Sequence, residues 1–183
     1  MQTFAVYVDN VPGVLNRVSS LFRRRAFNIE SLTVGHTEVE GLSRMTIVVD
    51  TDERGGRLVE ANLYKVLPVR RVVNITQVPT IARDLAMIKV QATAETRPQV
   101  MQLVEVYRAR IVDVSPETLV IETTGTEEKV DSLLEILKPY GVLEMVRTGR
   151  IEMARGATEG PAIAPGRAMR GERGPHDSGA MSV

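Results

Sequence analysis

A secondary-structure order that occurs twice along the chain constrains its fold more than any other feature. In the first half, alternating strands and helical stripes follow each other as strand, helix, strand, strand, helix, strand. The predicted strands of this half cover residues 3–8, 28–34, 43–49 and 69–78. The first predicted helix covers 12–25, and the second is capped by Thr51 or Asp52 and stopped by Pro68.

The same order repeats in the second half. Its predicted strands cover residues 85–92, 111–114, 119–123 and 142–147. Thr96 and Thr126 are placed to cap its two helices, and Pro139 with Gly141 ends the second of them. Two copies of this order predict an α+β protein of two ferredoxin-like βαββαβ units, each an antiparallel sheet with two helices on one face.

The repeat also divides the chain into segments. We assign residues 1–78 to the first unit, 79–84 to a linker and 85–153 to the second unit. From residue 154 onward the composition changes to glycine, proline, alanine and arginine without any period. Such a segment cannot bury enough apolar surface to offset its chain entropy, so we predict a disordered tail over 154–183.

Charge and aromatic content argue against several classes of partner. Lysine plus arginine equals aspartate plus glutamate, 23 of each, so no overall field attracts nucleic acid or an anionic membrane surface. Aromatic residues make up only 4% of the chain, which leaves few platforms for base stacking. The first residues lack the basic and apolar regions of a signal peptide, and no stretch reaches the roughly 20 apolar residues of a membrane span. We therefore expect a cytoplasmic protein.

Side chains that carry catalysis or hold metals are scarce. The chain has no cysteine and two histidines, His36 in a predicted connector and His176 in the predicted tail. These cannot complete a Ser-His-Asp constellation held by a core, and carboxylates alone match zinc and iron poorly. A paired-carboxylate hydrolase stays open as an alternative, although the acidic residues lie mostly at helix caps and on polar helix faces. We predict no catalytic residue and no metal site in this chain.

The turn before the first helix, DNVPG, has the features of a site for a small anion. Pro12 suits the first helical position, where a missing N–H costs nothing. The N–H groups of Gly13, Val14 and Leu15 would then have no partner inside the helix, and with the positive end of the helix dipole they can receive a carboxylate. Asn10 offers a donor and an acceptor that can orient a zwitterion. The same residues also fit an ordinary turn that starts a helix.

Three motifs carry a resemblance to a known family. They are the N-x-x-G-x-L turn at 10–15, the run NIESLTVG at 28–35 and the run LSRMTI at 42–47. The turn is typical of ACT domains in general, whereas the two runs resemble the small, regulatory subunit of acetolactate synthase (acetohydroxyacid synthase). The resemblance extends into the second unit, through IVDV at 111–114 and Gly125-Thr126, and fades after about Arg155.

This resemblance implies a function exerted on another protein. The family's catalytic, large subunit uses thiamine diphosphate, a divalent metal and a flavin to condense pyruvate with pyruvate or 2-oxobutyrate, which begins branched-chain amino acid biosynthesis. The small subunit raises that activity and confers feedback inhibition, typically by valine. It carries none of those cofactors, so we expect none in this chain. Which of valine, leucine or isoleucine binds best stays open.

The resemblance also implies a homodimer whose effector site lies between two ACT domains. Asn10 would hold the polar end of the amino acid, and the backbone of Gly13, Val14 and Leu15 would receive its carboxylate. Asn28 and Ile29 of the second chain would close the pocket. Aliphatic side chains such as Val14, Leu15 and Ile29 suit a branched, uncharged effector.

Several residues near this site have two interpretations. Asn28 is either a pocket residue or a left-handed residue that ends the preceding loop. Asn16 either lines the pocket or faces water. Ser43, Arg44 and Met45 are candidates for contact with the catalytic subunit, because an exposed arginine at a strand edge suits an interface, but plain surface placement fits equally well.

Two rival functions follow from the same residues. A free-standing ACT-domain sensor, controlling transcription or another enzyme, would share the turn but would not bind a synthase. A ferredoxin-like RNA-binding protein would need aromatic residues on the central strands and a basic sheet face, which the sequence does not supply.

Overall fold

The computed structural model describes residues 1–156 and contains both predicted repeats. The first repeat consists of β1, α1, β2, β3, α2 and β4. Their bounds are Gln2–Asp9, Val14–Arg24, Ile29–His36, Leu42–Val49, Glu53–Leu63 and Val69–Asn74. The second repeat consists of β5, α3, β6, β7, α4 and β8, followed by an added strand β9. Their bounds are Thr80–Gln91, Arg97–Val106, Arg110–Val114, Thr118–Gly125, Glu127–Leu137, Val142–Arg147 and Ile151–Ala154.

Each repeat folds as an antiparallel sheet with two helices on one face, as predicted. The strand order is β2-β3-β1-β4 in the first sheet and β6-β7-β5-β8 in the second. Alternate residues of the central strands face the helices and pack with apolar helix residues into one hydrophobic core per repeat. Phe4 of β1 and Phe22 of α1 lie in the first core, and Ile88 and Ile121 lie in the second. The α+β prediction of two ferredoxin-like units is therefore confirmed.

The second helix of the first repeat begins where the sequence placed its cap. The Asp52 side chain accepts a hydrogen bond of 2.7 Å from the Gly55 N–H, which satisfies one of the donors left free at a helix start. The helix ends at Leu63, earlier than Pro68 suggested, and Val66 and Val69 follow in hydrogen-bonded turns.

We expect Asp52→Ala to lower the free energy of unfolding by about 1 kcal/mol, because the Gly55 donor loses its acceptor. Urea unfolding followed by circular dichroism measures this change. Asp52→Asn is the matched control, since the amide oxygen still accepts the bond. Equal losses in both variants would mean that the carboxylate charge, rather than the hydrogen bond, stabilises the helix start.

The fourth strand is shorter than the predicted 69–78 because its own side chains end it. The Asn74 side-chain oxygen accepts hydrogen bonds from both the N–H and the hydroxyl of Thr76, at 3.0 and 2.6 Å. The Thr76 hydroxyl in turn accepts from the Thr3 N–H at 2.9 Å, which turns the chain away from the ladder. Local side-chain bonds of this kind compete with strand pairing.

The fifth strand begins at Thr80 instead of the predicted residue 85. Residues 80–83 pair with β9, and residues 84–91 pair with β7. Most of the segment 79–84, which we expected to be a linker, is therefore hydrogen-bonded strand, while the proposed division into domains stays a prediction. The predicted tail begins at residue 154, inside β9; its residues 157–183 lie outside the described part of the chain.

The two repeats contact each other through the segment that joins β8 to β9. The Arg150 N–H donates to the Ser31 hydroxyl at 2.9 Å, and the Thr33 hydroxyl donates to the Arg150 carbonyl at 3.0 Å. Arg44 donates to the carbonyl of Glu152. The Glu152 bond uses the free edge of β9, and the two Arg150 bonds lie immediately before that strand. The β5–β9 ribbon therefore packs with this edge toward the face of the first sheet opposite α1 and α2.

An ion-pair cluster flanks the same contact. Arg147 bonds the buried Asp84 carboxylate at 2.5 Å and Asp131 at 2.8 Å, and Arg150 pairs with Glu127. Burial works to lower the pKa of Arg147, but the hydrogen bonds and charges of Asp84 and Asp131 outweigh it and raise the pKa overall. The cluster thus fixes the end of β8 at which the segment that joins β8 to β9 begins.

Candidate functional site

The turn between β1 and α1 is built around a glycine in the left-handed conformation. Gly13 has φ +80° and ψ 0°, and it is the residue immediately before the helix. The prediction that Pro12 occupies the first helical position is wrong. The helix begins at Val14, because the positive φ of Gly13 is incompatible with a helical turn that already includes Pro12.

The backbone donors of this turn differ by one residue from the prediction. The Val14 N–H donates to the Val11 carbonyl at 3.3 Å and closes the turn, so it is not available to a ligand. Within residues 1–156, the N–H groups of Gly13, Leu15 and Asn16 have no acceptor. The sequence interpretation missed the Asn16 N–H as a donor. The signal for it was Gly13, because a glycine immediately before a helix indicates that the helix begins at the next residue, Val14.

The strand end before the turn is held firmly. The Asp9 N–H donates to the Pro68 carbonyl and the Asn10 N–H to the Gly41 carbonyl, both at 2.8 Å. The Asp9 carboxylate accepts a bond of 2.7 Å from Arg70 and thereby raises the pKa of that guanidinium. The Asn10 side chain is exposed and has no hydrogen-bond partner among the described residues. Its backbone is thus fixed while its amide is free to meet a ligand.

Space around the turn is open. A Cβ added to Gly13 would meet nothing within 4 Å. Val14 points into the core, whereas the Leu15 side chain is 44% exposed and offers an apolar surface beside the free donors. Asn16 is exposed and borders a separate depression of about 360 Å³ with Arg17, Arg24 and Lys65. Free N–H donors, an exposed amide and an exposed leucine together can bind a carboxylate, a polar amine and an aliphatic side chain.

Asn28 and Ile29 lie at the opposite end of the helix from the turn. Ile29 pairs with Val49 at the start of β2, and α1 separates this point from Gly13 by about 16 Å, at 1.5 Å per residue. The Asn28 side chain donates to Glu30. One chain therefore does not bring the six predicted effector residues together.

Asn28 is not a left-handed residue that ends the loop before β2. Among residues 1–156 only Ala26 and Arg108 have positive φ without being glycine, and Ala26, with φ 55°, takes that position after α1. That structural alternative for Asn28 is thus wrong. Its amide is exposed, and the pocket role stays a prediction.

The three residues predicted to contact a partner are less accessible than expected. Strand β3 lies between β2 and β1, so it is not an edge. Met45 is fully buried against the helices and Ser43 is 4% exposed on the same face. Arg44 is half-buried on the other face, over the Tyr7 ring at 5.9 Å, and it bonds Thr46 and the carbonyl of Glu152. Arg44 therefore joins the two repeats.

The part of the chain that the structure describes holds no group of three His, Asp or Glu side chains placed to bind a metal ion. None of its helices, the longest of which have 11 residues, could cross a membrane.

We expect Gly13→Ala to lower the free energy of unfolding by about 1–2 kcal/mol, because a Cβ is strained at φ +80° even where it meets no atom. Gly35→Ala is the matched control, since its Cβ also meets nothing within 4 Å and its φ is ordinary. Urea denaturation compares the two variants. Equal stability of the two would contradict the strained geometry of the turn.

Comparison with known proteins identifies a common family for both repeats. A family model described as the AHAS small subunit-like ACT domain matches residues 4–71, and one described as the small subunit of acetolactate synthase matches residues 83–156. The matched segments contain the turn in the first repeat and the ribbon contact in the second.

Curated relatives and a solved structure agree with these models. The probable acetolactate synthase small subunit of Archaeoglobus fulgidus is 48% identical over 154 residues, 84% of this chain and 96% of that one. The acetolactate synthase small subunit of Mycolicibacterium smegmatis is 47% identical, over 84% of this chain and 91% of its own. The crystal structure of the small subunit from Thermotoga maritima superposes with a TM-score of 0.81 at 39% identity, covering 85% of this chain and 97% of that one.

Proposed function

We propose that this chain, which belongs to the family of acetolactate synthase small subunits, activates a separate catalytic subunit and inhibits it when a branched-chain amino acid binds. The effector, valine in the first instance, would bind between the first repeats of two copies of the chain. The protein would act without catalytic residues of its own, in the cytoplasm.

The turn at Gly13 is the observation that carries this proposal. Free N–H groups on Gly13, Leu15 and Asn16 at the positive end of α1 suit a carboxylate, and the unpartnered Asn10 amide suits the adjacent ammonium. The exposed Leu15 side chain supplies an apolar surface for a branched side chain. The turn is therefore a half-site for an aliphatic amino acid.

A second copy of the chain would complete the half-site. Asn28 and Ile29 lie at the far end of α1 from the turn, so a two-fold pairing of first repeats would bring these residues of one chain to the turn of the other. A ligand held by both chains favours one relative placement of the two repeats, which is what allosteric inhibition requires.

The chemistry of the reaction belongs to the catalytic subunit in this proposal. Thiamine diphosphate, a divalent metal and a flavin would all bind there. This chain would contribute a contact that stabilises the active arrangement of the partner and a valine site that opposes it. Arg44 would influence the contact with the catalytic subunit only indirectly, because its hydrogen bond to the carbonyl of Glu152 joins the two repeats.

Calorimetry and co-purification test the two halves of the proposal separately. We expect two valine sites per interface between two chains, one at the turn of each chain, and both lost on Asn10→Ala. We also expect the tagged chain to retain the catalytic subunit of the same cell. Valine binding without retention of that subunit would favour the free-standing sensor. Retention without valine binding would leave an activator whose effector site is elsewhere.

A further inference from the structure

A second cavity lies on the face of the first sheet that is opposite its helices. It has a volume of about 460 Å³, within the range of sites for small molecules. Its floor is formed by Tyr7, Thr33 and Thr46, and one wall is formed by the β5–β9 ribbon, which stands on this face. The valine half-site proposed above lies at the start of α1, on the other face of the first sheet, so this cavity is a different site.

The wall of this cavity changes from apolar to cationic along its length. Ile81 pairs with Met153, and Arg83 pairs with Ile151, so these four side chains share one face of the ribbon, two rungs apart. The three apolar side chains are exposed, Met153 by 69%. Glu152 points to the other face, where its carboxylate accepts from Thr80 at 2.6 Å. The wall therefore presents an aliphatic surface that ends in a guanidinium.

The charges around the cavity favour an anion at the Arg83 end. Arg83 donates only to the carbonyl of its neighbour Ala82, and no carboxylate pairs with it in residues 1–156. Arg44 lies in the cavity as a second cation and His36 lines its edge, whereas Glu38 is the one acidic side chain that lines it besides Glu152. An unpaired guanidinium beside exposed aliphatic side chains is a site for a carboxylate with an apolar body.

We propose that this cavity binds a short aliphatic carboxylate, with its carboxylate on Arg83 and its hydrocarbon along Ile81, Ile151 and Met153. The ligand would lie against Tyr7 and Arg44, between the β5–β9 ribbon and the first sheet. Because Arg44 bonds the ribbon through Glu152, an occupant would also stiffen the contact between the two repeats.

Methyl NMR of the full chain tests this site without the catalytic subunit. We expect sodium hexanoate to shift the Ile81 and Ile151 methyl signals with saturation, and hexylamine at the same concentrations to leave them unchanged. Arg83→Gln should weaken hexanoate binding by about tenfold, the loss expected for one charge-assisted hydrogen bond. Arg54→Gln is the matched control. It removes an exposed arginine of α2, which lies on the opposite face of the first sheet from the cavity, and it should leave hexanoate binding unchanged.

Three results would overturn the proposal. Equal shifts with hexylamine would show a non-specific apolar surface, and unchanged binding in Arg83→Gln would show that the guanidinium is not used. Shifts of the Ile151 methyl only on addition of the catalytic subunit would assign the cavity to a protein contact instead. None of these results bears on the valine half-site, whose own binding is measured separately through Asn10.

Discussion

Gly13→Asp is expected to weaken valine inhibition strongly while leaving activation of the catalytic subunit intact. The new carboxylate would stand among the N–H groups of Gly13, Leu15 and Asn16 and repel the carboxylate of valine. The substitution is tolerated by the fold, because aspartate accepts the left-handed conformation better than most residues and no atom lies within 4 Å of the added Cβ. We expect the valine concentration for half-inhibition to rise about 10- to 100-fold, as for the loss of one charged hydrogen bond.

Gly13→Asn is the matched control for this effect. Its side chain has the same size and tolerates the same backbone, but it carries no charge. We expect the asparagine variant to retain more valine sensitivity than the aspartate variant. Acetolactate formation measured over a valine titration compares the two. Unchanged half-inhibition in Gly13→Asp would remove this turn from the effector site.

Gly149→Ala is expected to weaken the inhibition by valine while leaving valine binding in place. A Cβ at Gly149 would lie 2.8 Å from the Leu32 carbonyl and 2.5 Å from the Thr33 hydroxyl, so the segment that joins β8 to β9 must move away from β2. The bonds of Arg150 to Ser31 and Thr33 would then lengthen or break. We expect a loss of about 1–3 kcal/mol in the free energy of unfolding, as for an overpacked contact. Valine would still bind, but it would inhibit less, because the weakened bonds at Ser31 and Thr33 no longer connect β2, which begins at Ile29 of the proposed pocket, to the second repeat.

Hydrogen exchange provides the readout for this coupling, and Gly35→Ala provides the control. Amides of β9 and of the Ser31–Thr33 stretch should exchange faster in Gly149→Ala by about tenfold for each 1.4 kcal/mol of lost contact energy. Gly35 lies in the same strand, and its added Cβ meets no atom, so its variant should exchange as the wild type does. Full valine inhibition together with faster exchange in Gly149→Ala would show that the signal does not pass through this contact.

The element order was predictable because it rests on local periodicity. The strands and helices of both repeats follow from the spacing of apolar side chains and from caps such as Asp52, whose carboxylate accepts a bond from the Gly55 N–H. Strand β9 was not predictable in this way, since it has four residues and pairs with β5 about 70 residues earlier in the chain. Its stability comes from tertiary contacts, which no local pattern encodes.

The candidate site was predictable in type but not in detail. An Asn-x-x-Gly turn before an amphipathic helix indicated free donors. Among residues 1–156 the free donors include Asn16 in place of the predicted Val14, because the helix begins after Gly13. Exposure of Ser43 and Met45 was wrongly expected, because the sequence pattern does not say that β3 is central in its sheet. The cavity beside Arg83 was not predicted, because it forms only where the β5–β9 ribbon packs on the first sheet, and no local sequence pattern shows that packing.

Acetolactate formation by the catalytic subunit of the same cell tests the central claim most directly. The rate would be measured for that subunit alone, with this chain added, and with this chain and valine together. The proposed function predicts a higher rate in the second condition and a fall toward the first in the third. An unchanged rate in both conditions would contradict it.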